Sequence, residues 1–170
     1  MFVLELESGK WLKAKIERAG AYDLVSANND KQRFSAGFFW TRSKEIEIYK
    51  LQLENERSML GLMSIRDEKD PTIRAIKIEL LEVDVAHIGS KKKIKGTAGC
   101  LIAWACKISF DRGYEGAVYL VPKTNLITHF ISTYGFTHID IRSPERPLGF
   151  MILLGAISQK LINEYFTDKI

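Results

Sequence analysis

The chain has 170 residues, of which 46% are hydrophobic and 27% charged, a balance typical of a folded globular protein rather than a disordered one. The net charge is +4, and no apolar run approaches the roughly 20 residues that span a bilayer. The start of the sequence lacks the basic and then apolar pattern of a secretory signal, so we expect one domain over residues 1–170, located in the cytoplasm without membrane association.

The first half of the chain is predicted to form mainly strands. Apolar residues alternate through 45–53, and the next apolar run follows a polar turn, which is typical of an antiparallel hairpin. Segment 11–19 fits either a strand or a helix. Residues 26–31 are polar turn-formers and favour a loop. The apolar runs of this half lie at 2–7, 11–19, 45–53, 59–65 and 73–85.

The last of these segments contains a change of phase. Its apolar residues alternate in one phase up to Leu80 and in the opposite phase from Leu81 onward. A shift of one residue within a strand is what a β-bulge produces. We therefore predict a bulged strand over 73–85.

The second half is predicted to begin with a buried helix. Residues 96–110 are apolar nearly all round and rich in small side chains, and Gly113 follows in the position typical of a helix end. Cys100 and Cys106 lie in this helix and are interpreted as core residues, which excludes a disulfide framework. The remaining predicted elements are a strand at 117–121, a helix at 125–133, strands at 136–141 and 148–154, and an amphipathic helix at 156–166. This order predicts an α/β or α+β sheet with one central crossover.

The turn before the buried helix has the composition of a phosphate site. The first amides of a helix lack partners within the helix, and the helix dipole makes that end partly positive. Small residues leave those amides uncovered, and nearby lysines add positive charge. An ordinary capped helix after a solvated basic loop is the alternative. The residues concerned are Lys91, Lys92, Lys93, Lys95, Gly96, Thr97, Ala98 and Gly99.

With these residues, the sequence resembles the GNAT superfamily of N-acetyltransferases. The Gly135-Phe136 pair stands where that family commonly closes a later helix, and Lys93 replaces the usual Arg or Gln of its Arg/Gln-x-x-Gly-x-Gly/Ala signature. The resemblance implies an α/β (α+β) fold: a mixed, mostly antiparallel twisted sheet, splayed at a central β-bulge, with flanking helices. The signature segment reads Lys93-Ile94-Lys95-Gly96-Thr97-Ala98.

The resemblance also implies a binding site for acetyl-CoA in the wedge of the sheet. The pantetheine arm is expected to pair with the strand backbone, and the pyrophosphate is expected to meet the amides of the helix start. The loop 86–92 is longer than usual for the family, and the first half lacks two clear helices. The residues expected to bind the cofactor are Val83, Asp84, Val85, Lys93, Lys95, Gly96, Thr97, Ala98, Gly99 and Asn125.

The implied reaction is direct transfer of acetyl to a primary amine, which needs a base, an oxyanion donor and an acid for the leaving sulfur. Glu82 is the first choice for the base and Glu79 the second, with solvent-facing charges as the alternative for each. The family's tyrosine falls in a register where this chain has phenylalanine and isoleucine. Tyr134 is therefore the remaining candidate acid, with packing as its alternative role.

Two other functions stay open at this point. A CoA-binding module of the same fold without catalysis would explain the missing tyrosine. The Lys91–Lys95 patch is also compatible with a nucleic-acid-associated protein. The acceptor of an acetyltransferase would be a small-molecule or protein amine, and an RNA-linked acceptor is possible. His87, His129 and His138 match no metal-ligand spacing, so no metal site is predicted.

Overall fold

The computed structural model describes residues 1–70, 72–123 and 125–169. Its strands are β1 Phe2–Glu5, β2 Trp11–Arg18, β3 Glu47–Leu53, β4 Met59–Asp67, β5 Ile76–Val83, β6 Ile94–Lys95, β7 Val118–Leu120, β8 Thr137–Ile139 and β9 Phe150–Leu153. Its helices are α1 Ala21–Asn29, α2 Thr97–Asp111, α3 Ile127–Tyr134 and α4 Gly155–Phe166, with a short 3-10 helix at Val85–His87. None of the helices in these ranges is long and apolar enough to cross a membrane.

The described strands form one mixed sheet in the order β6-β1-β2-β3-β4-β5-β7-β9-β8. Strands β5 and β7 are parallel, and the other pairs of described strands are antiparallel. Helix α2 lies in the crossover between β5 and β7, as a parallel pair requires. The predicted fold, a mostly antiparallel sheet with flanking helices and one central crossover, is confirmed.

Two hydrophobic cores lie on opposite faces of the sheet. Neighbouring residues of β4, which point to opposite faces, belong to different cores. Met63 packs into the core beneath α2 and α4, and Leu62 packs into the core that also contains Phe34 and Trp40. Helix α2 is buried on several sides, as its composition predicts, because it packs against both the sheet and α4. Cys100 and Cys106 are free and buried within it, and this burial raises the pKa of both thiols.

The structure settles one open alternative in the first half of the chain and corrects one prediction. Segment 11–19, which fits either a strand or a helix in the sequence, contains strand β2. The predicted loop at 26–31 instead begins inside α1, whose buried residues are Leu24 and Ala27. Because so few of its apolar residues are buried, this helix has too weak a hydrophobic periodicity to be recognised in the sequence.

The predicted bulge is present in β5, two residues earlier than expected. Ser64 of β4 faces Leu80, whereas Ile65 faces Ile78, so Glu79 is the extra residue. Leu80 packs against the second core on the opposite face from Ile78. Because β5 has an apolar residue on each face here, Ile78 and Leu80 look in the sequence like one continuous alternation, although the bulge lies between them. The bulge therefore belongs at Glu79 and not at Leu81.

Candidate functional site

The sheet opens between β5 and β7. The two strands pair only over Ile76–Ile78, after which β5 continues to Val83 while β7 ends at Leu120. The Asp84 amide donates to the Leu60 carbonyl on the β4 side at 2.9 Å. Backbone groups alternate between the two edges of a strand, so those of Leu81 and Val83 point to the edge that β7 leaves uncovered. That edge offers hydrogen bonds to an extended ligand.

A cavity of about 350 Å³ lies along the uncovered edge. Its wall is mostly apolar and is formed by β5 on one side and by the end of β7 and helix α3 on the other. The three residues expected to take part in catalysis, Glu79, Glu82 and Tyr134, are all among those that line it. The structure therefore brings them together.

The start of α2 adjoins this cavity through Ala98. Gly96 precedes the helix with φ +104°, a left-handed conformation that favours glycine, and no side chain caps the first turn in the described part of the chain. Thr97 is 2% exposed, and its Oγ1 has no hydrogen-bond partner among the described residues. A first helical turn without a side-chain cap and the positive end of the helix dipole suit an anionic group such as a diphosphate.

Gly99 has a packing role that the sequence does not indicate. A Cβ placed there would lie 2.0 Å from Cζ of Tyr165 in α4, so the ring lies directly against the glycine. Tyr165 thus occupies one side of the helix start. The absence of a side chain at Gly99 is explained by this ring, and Gly99 itself is buried.

Two of the predicted cofactor residues, Lys93 and Lys95, lie next to the start of α2. Lys93 and Lys95 are exposed, and neither forms an ion pair within the ranges the structure describes. The backbone of Lys93 is fixed, since its amide donates to Ala86 O at 2.9 Å and its carbonyl accepts from Leu6 N at 2.9 Å. Asn125 is exposed and lies outside the cavity wall, to which its neighbour Leu126 contributes.

The expected cofactor contacts of Asp84 and Val85 need correction. The Asp84 carboxylate is buried and accepts hydrogen bonds from Arg33 Nε at 2.6 Å and from Ala86 N at 2.9 Å. The Val85 amide donates to Arg33 O at 2.9 Å. Since the amides of both residues and the Asp84 side chain already have partners within the protein, the open edge is formed by Leu81 and Val83 instead.

Glu82 is a buried carboxylate, not a solvent-facing one. It is 5% exposed, and its two oxygens accept hydrogen bonds from Ala36 N at 2.9 Å and from Trp40 Nε1 at 3.0 Å. Both donors belong to the loop 30–46 between α1 and β3. The carboxylate therefore holds this loop against β5 while it lines the cavity.

Glu79 has a different environment. It is half-buried, accepts a hydrogen bond from Arg66 Nε and forms an ion pair with Lys77 at 3.1 Å. Burial alone raises the pKa of Glu79, but the bonds to Arg66 and Lys77 outweigh it, so the pKa lies below its ordinary value of 4.5. A carboxylate held in its charged form by two cations is a weaker base than one without them.

Tyr134 is 8% exposed and lies one turn after Phe130 on the same face of α3, with the two ring centroids 5.9 Å apart. Burial raises the pKa of Tyr134 to about 12. The phenol therefore keeps its proton at neutral pH. Packing and proton donation are compatible roles for such a group.

Two further parts of the chain contribute to the cavity wall. Loop 30–46 contributes Ser35, Ala36 and Phe38, and the segment after β7 contributes Lys123. In the sequence, the apolar run Phe38-Phe39-Trp40 of this loop is compatible with a buried strand or with a pocket wall; the structure buries Trp40 and places Phe38 in the wall. No group of three His, Cys, Asp or Glu side chains in the described ranges is arranged to hold a metal ion.

Comparison with solved structures gives acetyltransferases as neighbours. The aminoglycoside acetyltransferase AAC(6')-Ib, in complex with coenzyme A and kanamycin, is 13% identical over 87% of this chain and 98% of its own, with a TM-score of 0.61. A point mutant of the toxin AtaT, bound to the C-terminus of the antitoxin AtaR, is 18% identical over 92% of this chain and 99% of its own, with a TM-score of 0.58. The PaiA N-acetyltransferase from Thermoplasma acidophilum, in complex with coenzyme A, is 12% identical over 83% of this chain and 98% of its own, with a TM-score of 0.53.

No family model matches the sequence, and neither does any curated protein. The structural neighbours are GNAT acetyltransferases, and at these identities the likeness establishes the fold. The chain therefore has the GNAT fold, and the resemblance inferred from its signature residues is confirmed at that level.

Proposed function

We propose that this protein is an acetyl-CoA-dependent N-acetyltransferase that transfers acetyl directly to a primary amine. The observation that supports this most strongly is that the expected cofactor-binding and catalytic residues lie around one cavity. The uncovered edge of β5 and the uncapped start of α2 meet at one cavity, which also contains two carboxylates and a protonated tyrosine.

The cofactor side would use backbone groups and lysines. Leu81 and Val83 would bind the pantetheine arm through the open edge of β5. The amides of Gly96, Thr97 and Ala98 would bind the diphosphate, with Lys93 and Lys95 adding positive charge. This arrangement is supported by AAC(6')-Ib and PaiA, which have the same fold and whose structures contain coenzyme A.

On the catalytic side, acetyl-CoA supplies a thioester as the acetyl donor. Glu82 is the better candidate base, because Glu79 is paired with two cations and Glu82 with none. A carboxylate has about four acceptor positions, so Glu82 can bind a water or an amine besides its two protein donors. Tyr134 would donate its proton to the leaving thiolate.

A second candidate function is a CoA-binding module without turnover. This function is favoured by the hydrogen bonds of Glu79 and Glu82, because each carboxylate already accepts hydrogen bonds from protein donors. In this case Glu82 would only fasten loop 30–46. The interpretation of the lysine patch as a nucleic-acid surface stays a prediction, and it requires binding that weakens steeply with salt and ignores CoA.

Calorimetry with CoA and acetyl-CoA, followed by a thiol-release assay over a panel of amines, tests the proposal. We expect binding of both and turnover with at least one amine. Tyr134→Phe should lower kcat about 100-fold with an unchanged Kd for acetyl-CoA, and Tyr119→Phe, on β7 outside the cavity wall, serves as the matched control. Binding without turnover on any amine would select the module, and absence of binding would overturn both functions.

A further inference from the structure

The cavity beside β5 has walls on both faces of the sheet. Ala98 and Tyr134 reach it from the face of α2, where both pack in the core beneath α2 and α4. Phe38 and Leu80 reach it from the opposite face, where both pack against the core that contains Trp40. The cavity therefore passes through the opened sheet, and a molecule inside it has contacts on both faces.

The two groups proposed for proton transfer lie on opposite faces of the sheet. Glu82 is on the face of loop 30–46, since Ala36 and Trp40 of that loop donate to its carboxylate. Tyr134 is on the face of α2. In the proposed reaction the base acts on the incoming amine and the acid acts on the leaving sulfur. The amine would therefore arrive from the face of loop 30–46, and the thiolate would form toward the face of α2.

On the face where the amine would arrive, two segments of the chain meet across the cavity. Lys123 Nζ, in the segment after β7, lies 5.7 Å from the centre of the Phe38 ring in loop 30–46. Both residues line the cavity, so their contact spans it from the loop to the β7 side. We refer to this contact as the Phe38–Lys123 bridge.

Phe38 is held over the cavity by residues on either side of it. Ala36 and Trp40, two positions before and two after, donate to the same Glu82 carboxylate at 2.9 Å and 3.0 Å. The Trp40 amide and carbonyl also bond to the Asn28 side chain of α1, each at 2.8 Å. The rings of Phe38 and Trp40 pack edge to face, with centroids 6.5 Å apart. The proposed base and the bridge therefore belong to one hydrogen-bonded unit.

The bridge itself is a weak contact. Lys123 is exposed, and a cation–π contact at an exposed site stabilises little. Gly37, next to Phe38, has φ +78° and nothing within 4 Å of a Cβ placed on it, so the backbone can rotate there without a clash. An entering amine can thus part Phe38 from Lys123 while the bonds to Glu82 stay in place.

We infer, on the basis of the proposed function, that the Phe38–Lys123 bridge covers the thioester on the face where the amine arrives and excludes water until an acceptor enters. Water competes with the amine for the same carbon atom. In hydrolysis the water oxygen bonds to the thioester carbonyl carbon and the carbon–sulfur bond breaks. The water loses one proton to the base, and the thiolate gains one from the acid. The bridge thereby favours transfer to an amine over hydrolysis.

Alkylation of bound CoA by iodoacetamide tests the bridge without any turnover. The thiol of CoA stands where the thioester sulfur would be, and the protein's own Cys100 and Cys106 are buried with raised pKa values, so they react slowly. The protein is used at concentrations that keep CoA fully bound in each variant. We expect alkylation to be about fivefold faster in Phe38→Ala and about twofold faster in Lys123→Gln than in the unmodified protein.

Two matched controls locate the effect at the bridge. Phe39→Ala changes a neighbour of Phe38 that is 72% exposed, and Lys160→Gln changes an exposed lysine of α4; neither residue is among those described in the cavity wall. Neither control should change the alkylation rate. Urea denaturation shows whether Phe38→Ala is folded, and the exposed Lys123→Gln decides if it is not. Alkylation at one rate in all variants would overturn the inference.

Thiol release from acetyl-CoA without an amine separates this inference from the proposed function. We expect faster hydrolysis in Phe38→Ala and Lys123→Gln, and a lower ratio of transfer to hydrolysis once an amine is added. If the variants speed alkylation but no protein releases thiol, the bridge stands and the transferase activity is overturned. If an amine is acetylated while alkylation is unchanged, the proposed function stands and the bridge is overturned. Absence of CoA binding would overturn both.

Discussion

The two sides of the cavity are built in different ways. The cofactor side consists of the β5 edge and the α2 start, where backbone amides and small residues act within a short stretch of chain. The acceptor side is a loop fastened by contacts between distant residues: Glu82 to Ala36, 46 positions away, and Asp84 to Arg33, 51 positions away. The comparison teaches that the proposed diphosphate site is encoded by residues close together in the sequence, whereas the proposed acceptor wall is formed only in the tertiary structure.

The largest expected effect concerns the cofactor side. Ala98→Asp places a carboxylate where the diphosphate is expected, and we expect Kd for CoA to rise about 100-fold through charge repulsion. An aspartate in the first helical turn interacts favourably with the helix dipole, but Ala98 also packs against the core beneath α2, so urea denaturation of the variant is measured to show that it is folded. Calorimetry measures the Kd, with Ala98→Ser as the control. An unchanged Kd would show that the diphosphate does not bind at the start of α2.

A second prediction on the proposed cofactor side concerns the packing of Gly99 against Tyr165. Gly99→Ala forces a methyl group into the Tyr165 ring, and we expect a loss of about 1–3 kcal/mol in the free energy of unfolding. In a Tyr165→Ala background, the same substitution should cost much less. Urea denaturation of the four proteins of this cycle measures the coupling. If Gly99→Ala instead weakens CoA binding at unchanged stability, the glycine serves the ligand rather than the packing.

On the acceptor side we expect a smaller loss of stability. Arg33→Met removes the partner of the buried Asp84 carboxylate and should cost about 1–2 kcal/mol, discounted because Arg33 is one-third exposed. Arg142→Met, which breaks an exposed pair with Asp140, should cost much less, because solvent screens that pair. Acceptor KM should change more than Kd for CoA in Arg33→Met. The opposite order would mean that Arg33 supports the cofactor side.

The smallest expected effect is the pH dependence due to Glu79. Its pKa is lower in the folded protein than its ordinary value of 4.5, so it stabilises the fold above that value, and this contribution is lost as pH falls through the folded pKa. Glu79→Gln should therefore unfold with a flatter pH dependence in acid than the unmodified protein. Denaturation midpoints measured across this acidic range test it. Parallel curves for the two proteins would contradict the ion pairing of Glu79.

Sequence reasoning succeeded where the determinants are near one another in the chain. The helix that became α2, its glycine start and its lysines form one continuous segment, and the bulge is visible as a change of phase within one strand. The bulge was misplaced because Leu80 is apolar on the face of the second core. Strand β6 was not predicted, since two residues carry no periodicity.

The acceptor side could not be predicted for a physical reason. Loop 30–46 is fixed by hydrogen bonds from the Trp40 indole and the Ala36 amide to Glu82 of β5. Donors and acceptor are more than forty positions apart, so no local sequence pattern encodes these bonds. The same holds for Tyr165, whose contact with Gly99 spans more than sixty positions. The catalytic roles of Glu82 and Tyr134 follow from the resemblance and stay predictions.

Both ends of the chain meet at the start of α2. Strand β1 pairs with β6 through Leu4 and Lys95, immediately before the helix, and Tyr165 of the final helix packs on Gly99. Contacts of such long sequence separation form late, because the entropy of closing the loop must be overcome first. In a growing polypeptide, the proposed coenzyme A site should therefore form only after α4 has emerged from the ribosome.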